Sequence, residues 1–370
     1  MFSEQDYLHM SRALELASKG LFSTTPNPRV GCVLVKDGEV IGEGWHRKAG
    51  EPHAEALALA QAGERARGAT AYVTLEPCSH FGRTPPCATA LVEARVTRVI
   101  AAMEDPNPEV SGQGFALLRA AGIDVRCGLL HEQALALNVG FVSRMTRGRP
   151  WVRMKIAASL DGVTALANGK SQWITGEAAR HDGHYWRARA CAILTGIGTV
   201  KGDNPTMNVR GWETGRQPLR VIIDSRLEIN PAAQILQRGA GLGESLVLAS
   251  ALKGEPNAEQ LARAANLPVA FVASNAQGKT DLLAALQYLA ERGIGELHVE
   301  AGYKLNGSLI KAGLVDELLI YFAPKLLGSG QGLAAIGPLE SIEEGASFSV
   351  LEMIQMGEDF RVILQKNFTK

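Results

Sequence analysis

The chain has 370 residues, 38 basic against 38 acidic side chains, and five cysteines. This length favours two domains over a single core, and the balanced charge argues against a nucleic-acid or anionic-membrane surface. An odd, sparse set of cysteines argues against a disulfide framework and for a reducing compartment, so a soluble cytoplasmic protein is expected. Cys32, Cys127 and Cys191 sit among apolar neighbours and read as small buried residues. The first twenty residues form an amphipathic pattern containing acids, unlike a signal peptide, and no apolar run reaches the ~20 residues of a membrane span.

Ser3 with Asp6 predicts a capped helix whose apolar face is Tyr7, Met10, Leu14 and Ala17, ended by Gly20. Val30 to Val35 and Val40 to Trp45 read as a hairpin across Asp37-Gly38. An alanine- and leucine-rich helix is expected over Ala54 to Ala62, with His53 and Glu55 at its start. A strand over Ala69 to Leu75 leads to Pro77-Cys78, and a helix over Ala88 to Ala94 follows Pro86-Cys87. Strand, helix and strand recur over Val96 to Ala102, Gly114 to Ala121 and Ile123 to Cys127, which indicates a layered α/β domain. His131 to Arg144 reads as one helix, and Arg147-Gly148-Arg149-Pro150 marks a domain boundary, giving residues 1–147 and 148–370.

The chemistry of the first half lies between His53 and Cys87. One imidazole and two thiolates suit a zinc ion that keeps its fourth position open for water. Such a metal lowers the pKa of its water from ~15.7 towards ~7. Glu55, two residues after His53, stands where zinc nucleobase deaminases place their proton-shuttling carboxylate in the pattern H-x-E…P-C-x-x-C. Here eight residues, not two, separate Cys78 from Cys87. That longer loop, Pro77-Cys78-Ser79-His80-Phe81-Gly82-Arg83-Thr84-Pro85-Pro86-Cys87, resembles the deaminase half of the bifunctional riboflavin-biosynthesis deaminase/reductases. Asn27-Pro28, Val30-Gly31 and Asp105-Pro106-Asn107-Pro108 fit the same family. The resemblance implies a cytidine-deaminase-like three-layer domain with His53, Cys78 and Cys87 as zinc ligands, Glu55 as the catalytic residue and Asn27 on the pyrimidine.

Beyond the boundary, strands are expected over Trp151 to Ala158, Ala190 to Leu194, Leu219 to Asp224, Ser245 to Ala249, Val269 to Val272, Leu297 to Val299 and Leu318 to Phe322. Helices fall between them, the clearest being Asp281 to Glu291 with Leu282, Leu283, Leu286 and Leu289 on one face. Phe348 to Ile354 and Phe360 to Gln365 read as a closing antiparallel pair. Gly278-Lys279-Thr280 imitates the end of a P-loop, but Ala273 stands where its first glycine belongs. Gly196-Ile197-Gly198 lacks the third glycine of a dinucleotide fingerprint, and the pair reads instead as a place where backbone approaches a ligand. His181 and His184 are spaced for a metal but lack a third ligand nearby, and read as a solvated helix face. A strand-to-helix turn over Glu300 to Ser308 can offer N–H groups to a pyrophosphate, and Asp224-Ser225-Arg226 would favour NADPH over NADH; on chemistry alone an ordinary surface turn reads equally well.

Lys155 to Gly162, Ser171 to Thr175, Asp203-Asn204-Pro205 and Glu300-Ala301-Gly302 resemble the reductase half of the same family, a dihydrofolate-reductase-like α/β domain. The resemblance implies NADPH on Ala157, Trp173, Thr199, Asp203, Ser225 and the turn Gly302, Tyr303, Lys304, Leu305, Asn306, Gly307 and Ser308. It implies substrate on Ser171, Arg187, Met207, Arg210 and Glu300, with the two arginines on a ribose 5-phosphate. Lys155 and Asp161 would help shape this second site, and Asp203 and Glu300 are the candidate proton donors. The expected function is hydrolytic deamination of a phosphoribosylamino-pyrimidine followed by reduction of its ribosyl chain to ribityl, with Zn²⁺ and NADPH as cofactors. The expected partners are that phosphorylated small molecule and further copies of the chain, not nucleic acid or membrane. Two other readings stay open at this point. One is a zinc deaminase of another nucleobase or a tRNA with a C-terminal ligand-binding domain. The other is a structural zinc closed by a fourth ligand, for which His80 is the candidate.

Overall fold

In the computed structural model, which describes residues 1–79, 86–108, 110–251 and 255–367, the chain divides into Met1–Gly148 and Arg149–Lys370. The first unit opens with α1 (Glu4–Ser18), started by a reciprocal capping box between Ser3 and Asp6. Its buried face runs through His9, Met10, Ala13, Leu16 and Ala17, whereas Tyr7 points outwards, so the apolar stripe is rotated from the expected one. Strands β1 (Gly31–Lys36) and β2 (Glu39–Trp45) are joined through Asp37 and Gly38, both with positive φ, as a two-residue hairpin requires. There follow α2 (Ala54–Ala62), β3 (Thr70–Val73), α3 (Cys87–Glu93), β4 (Arg98–Ala101), α4 (Gln113–Ala120), β5 (Asp124–Cys127), α5 (His131–Leu137) and α6 (Val139–Arg147).

The sheet order is β2-β1-β3-β4-β5, with β3, β4 and β5 parallel. Alternation along β1 feeds two cores. Cys32 and Leu34 pack with Ala54, Ala58, Ala88 and Leu91, while Val33 and Val35 pack with Met10, Ala13 and Leu16 on the other side. This is a three-layer domain. Two expectations fail here for physical reasons. The helix expected from His131 to Arg144 is broken at Asn138, whose side chain leaves the helical pattern to bind both the N–H and C=O of Arg29. Cys127 is exposed because β5 is the sheet's outer strand; Cys32 and Cys191 are buried.

The second unit contains β6 (Trp151–Ser159), β7 (Ala165–Leu166), α7 (Glu177–Arg189), β8 (Ala192–Gly196), α8 (Ile197–Asp203), β9 (Leu219–Ile223), β10 (Ser245–Ala251), α9 (Ala258–Ala264), β11 (Val269–Ala273) and α10 (Leu282–Glu291). It continues through β12 (Glu296–Val299), α11 (Tyr303–Lys311), β13 (Glu317–Ala323), β14 (Gly330–Gln331), β15 (Phe348–Met356) and β16 (Asp359–Lys366). Nine strands form one sheet in the order β11-β10-β9-β8-β12-β6-β13-β16-β15. The seven from β11 to β13 run parallel, and β16 and β15 close the sheet antiparallel. The strand order reverses direction between β8 and β12, which opens a crevice at their carboxyl ends. On α10, Leu286 and Leu289 are buried, but Leu283 is exposed and does not belong to the packed face.

Candidate active sites

The candidate zinc site draws on two helix starts. His53 is the residue preceding α2 and Glu55 lies in its first turn; Cys87 opens α3. Helix α2 lies close against β2 because Gly44 has no side chain: a Cβ there would sit 2.1 Å from the carbonyl oxygen of Ala54. His53 Nδ1 is 3.6 Å from Cys78 Sγ and 3.3 Å from Cys87 Sγ. All three donor atoms lie within 4.8 Å of one another, and no other such group occurs among the described residues. Tetrahedral zinc with Zn–S near ~2.3 Å and Zn–N near ~2.0 Å places its ligands about 3.5–3.8 Å apart, so the donor set fits that ion.

The electrostatics agree with that fit. The Cys87 N–H points at Cys78 Sγ at 3.3 Å. The hydrogen bond from the Cys87 thiol lowers the Cys78 thiol, and that same contact with burial pushes Cys87 up, so the proton rests on Cys87. Binding zinc displaces that proton. Glu55 is buried, and desolvation together with the Cys78 charge raises its carboxyl to about 7. A carboxyl poised there can both accept and return a proton at neutral pH.

Two residues that sequence reasoning missed hold this site's surroundings. His46 is buried, its Nδ1 3.2 Å from the Pro52 carbonyl and its Nε2 3.1 Å from the Asn27 amide nitrogen. With Nδ1–H donating to Pro52, Nε2 accepts from Asn27 and fixes the orientation of that amide. Glu76, also buried, accepts the N–H groups of Asp105 at 3.2 Å, Gly112 at 3.0 Å and Phe115 at 3.1 Å, tying down the Asp105-to-Pro108 motif. Neither has a spacing signal; each is a lone polar residue at a strand end. His80, the fourth-ligand candidate, lies outside the described residues.

In the second unit, a cavity of about 1260 Å³ lies over the carboxyl ends of β6, β8, β9 and β12. Ala157, Trp173, Thr199, Asp203, Ser225, Gly302, Tyr303, Lys304, Leu305, Asn306 and Ser308 line it, as do Lys155, Ser171, Arg187, Met207, Arg210 and Glu300. Gly307 does not; it faces Ala335, whose carbonyl oxygen a Cβ would meet at 2.4 Å. Asp161 is likewise absent from the lining, because its carboxylate accepts the N–H groups of Leu327 and Gly328 and pins a loop. Gly196 and Gly198 both line the cavity, and a Cβ on Gly198 would meet nothing within 4 Å.

Gly302 caps α11, so the first N–H groups of that helix have no partner within it and form an anion seat. Arg187 forks onto Glu300, with Nη2 2.8 Å from Oε2, and gives Nη1 to the Asn208 carbonyl at 3.0 Å. It therefore holds a carboxylate first, and Arg210 is the more available cation for a phosphate. Burial pushes Glu300 up, but Arg187, His298 and Lys155 hold it well below the usual carboxylate range. His181 is exposed, as a solvated helix face predicts, whereas His184 is half-buried. Its Nδ1 accepts the Arg210 N–H at 3.1 Å, and burial beside Arg187 and Arg210 lowers it to about 4. Met207 has φ 54, an uncommon conformation for its type, and its side chain is buried.

Comparison with known proteins settles the family. Residues 150–361 match the model of the RibD C-terminal domain, and residues 3–103 match the cytidine and deoxycytidylate deaminase zinc-binding region. The riboflavin biosynthesis protein RibD of Escherichia coli is 47% identical over 96% of this chain and 98% of its own length. The chain belongs to the RibD family. The Haemophilus influenzae RibD is 48% identical over 98% of this chain and 97% of its own. The Acinetobacter baumannii RibD structure superposes with a TM-score of 0.88 at 44% identity, covering 99% of each chain. A Thermotoga maritima deaminase/reductase gives 0.85 at 33% identity, over 98% of this chain and 99% of that one.

Like its RibD relatives, this is a bifunctional deaminase/reductase of riboflavin biosynthesis, with a zinc-binding deaminase domain followed by an NADPH-dependent reductase domain. Full-length agreement with RibD removes the reading as a tRNA deaminase with an unrelated ligand-binding module. No helix of the described residues is long and apolar enough to cross a membrane.

Proposed function

We propose that residues 1–147 deaminate a phosphoribosylamino-diaminopyrimidine and that residues 148–370 reduce the ribosyl chain of the product to ribityl. The Thermotoga relative is described by that pair of activities, a diaminohydroxyphosphoribosylaminopyrimidine deaminase and a 5-amino-6-(5-phosphoribosylamino)uracil reductase. The observation that carries the first half is the convergence of His53 Nδ1, Cys78 Sγ and Cys87 Sγ beside a buried Glu55.

Zinc, held by His53, Cys78 and Cys87, would supply a water acidic enough to ionise near neutral pH. Glu55 would carry one proton of that water to the ring nitrogen and the second, from the added hydroxyl, to the amine, which leaves as ammonia. Asn27, oriented by His46, hydrogen-bonds the pyrimidine. In the second site NADPH, when bound, supplies hydride to C1 of the sugar in its ring-opened imine form. The start of α11 and Ser225 hold the cofactor's phosphates, Arg210 takes the substrate phosphate, and the Arg187–Glu300 pair with Lys155 borders the reacting carbon. Of the two proton-donor candidates, Glu300 is held ionised by Arg187, His298 and Lys155 and carries no proton to give, which leaves Asp203, at the end of α8 and in the cavity lining.

The chain works in the cytoplasm as a homo-oligomer in this reading. Support for assembly comes from the sheet's edge strand β15, where Val350, Leu351 and Met353 are 64%, 58% and 64% exposed. Metal analysis combined with an ammonia assay tests the deaminase half. One zinc per chain and chelator-sensitive ammonia release are expected; full activity in metal-free protein contradicts the proposal.

A further inference from the structure

Gly278-Lys279-Thr280 makes no P-loop, yet it borders the reductase cavity. After β11 the chain turns back so that Ser274 and Thr280 form an antiparallel bridge, with Gly278 at φ +68. Asn275 Oδ1 accepts the N–H groups of Gln277 and Lys279, each at 3.0 Å, which fixes the backbone from which Lys279 projects. The turn is joined to the loop after β9. Thr280 N–H donates to Ser225 Oγ at 2.9 Å, and the two hydroxyls are 3.0 Å apart. Ser250 Oγ reaches the carbonyls of both Ser225, at 3.0 Å, and Gly278, at 3.1 Å. Six hydrogen bonds thus hold Ser225 and Lys279 in one fixed relation, and both residues line the cavity together with Arg226.

The local charges favour an added anion. Lys279 and Arg226 are exposed, and neither is engaged in an ion pair among the described residues. The neighbouring acid Glu228 is paired with Lys201. Asp224, at the position where a dinucleotide site for NADH would offer a carboxylate to the ribose 2′-hydroxyl, is buried and accepts the Ile229 N–H at 2.8 Å. Because Ser225 Oγ accepts from the Thr280 N–H, its own hydrogen can be donated to a ligand oxygen while the Thr280 hydroxyl turns towards Ser225 or the Leu248 carbonyl at 3.4 Å.

We propose that Lys279, acting with Arg226 and Ser225, forms the seat of the NADPH 2′-phosphate and makes this chain select NADPH over NADH. The inference rests on the reading that Ser225 marks the adenosine end of the cofactor site. A phosphate monoester carrying about −1.5 to −2 charges is matched by two cations and a hydroxyl donor.

The test is calorimetric titration of the full-length protein with adenosine 2′,5′-bisphosphate and with adenosine 5′-monophosphate, which differ only in the 2′-phosphate. Lys279→Ala is expected to weaken the bisphosphate about tenfold, the lower end for a hydrogen bond to a charged group, and to leave the monophosphate unchanged. Lys279→Arg retains most of the preference. Equal weakening of both nucleotides, or no change in either, overturns the assignment of Lys279. Wild-type protein that does not distinguish the two nucleotides removes the underlying reading of Ser225 as well.

Discussion

Glu55 and His184 show the same physical lever working in opposite senses. Desolvation raises the Glu55 carboxyl to about 7, and desolvation beside two arginines lowers the His184 imidazole to about 4. For His184 the unfolded value is near ~6.5, so between pH ~6.5 and ~4 the unfolded chain binds more protons than the folded one. Stability therefore falls as pH drops through that window. His184→Gln, which keeps an acceptor for the Arg210 N–H, is expected to flatten the decline, checked by urea midpoints at pH 7 and 4.5; an unchanged slope contradicts it. The candidate zinc ligands and the carboxylate beside them were legible because metal chemistry imposes type and spacing: an imidazole, a carboxylate two residues on, and two thiolates after prolines. His46 and Glu76 were not, because a single polar residue leaves no pattern when its partners are distant backbone groups. Arg187 read as a phosphate ligand from the family resemblance and the fork of its guanidinium; the structure shows Glu300 and the Asn208 carbonyl already engaging its donors.

Helix α2 delivers His53 and Glu55, so its seat on β2 decides whether the deaminase site exists. Gly44→Ala places a methyl group 2.1 Å from the Ala54 carbonyl oxygen and must push the first turn of α2 away. Loss of zinc binding and of ammonia release is expected, with NADPH oxidation on the deaminated intermediate retained; unaltered zinc content contradicts it. On α10, Leu286→Ala is expected to destabilise by about 2–5 kcal/mol, while Leu283→Ala stays within about 0.5 kcal/mol, as read from denaturant unfolding. That contrast also shows where periodicity is weak. An apolar run with few polar markers leaves the buried face underdetermined, as with Leu283 on α10 and Tyr7 on α1. Elements bounded by chemistry were read closely: Asp37-Gly38 fixed the hairpin, and the segment Ala54 to Ala62 is a helix over those same residues. The break at Asn138 was hidden because its cause, Arg29, is remote in sequence.

At the scale of the whole molecule, the fold class was legible from alternating strand and helix patterns, whereas strand order was not. Nothing local in the sequence states that β12 lies between β8 and β6, although that placement opens the reductase crevice. The edge strand β15 carries its own expectation. Met353→Lys should shift the protein to a smaller species in light scattering if copies associate through that edge; an unchanged mass sets that surface aside. Each unit has its own hydrophobic core and its own site, so the two reactions should fail independently. The most direct measurement is to follow ammonia release and nicotinamide absorbance together for Glu55→Gln. The account predicts that zinc stays bound, ammonia release falls by a factor of roughly 10²–10⁴, and NADPH is still oxidised when the deaminated intermediate is supplied. Equal loss of both activities would contradict it.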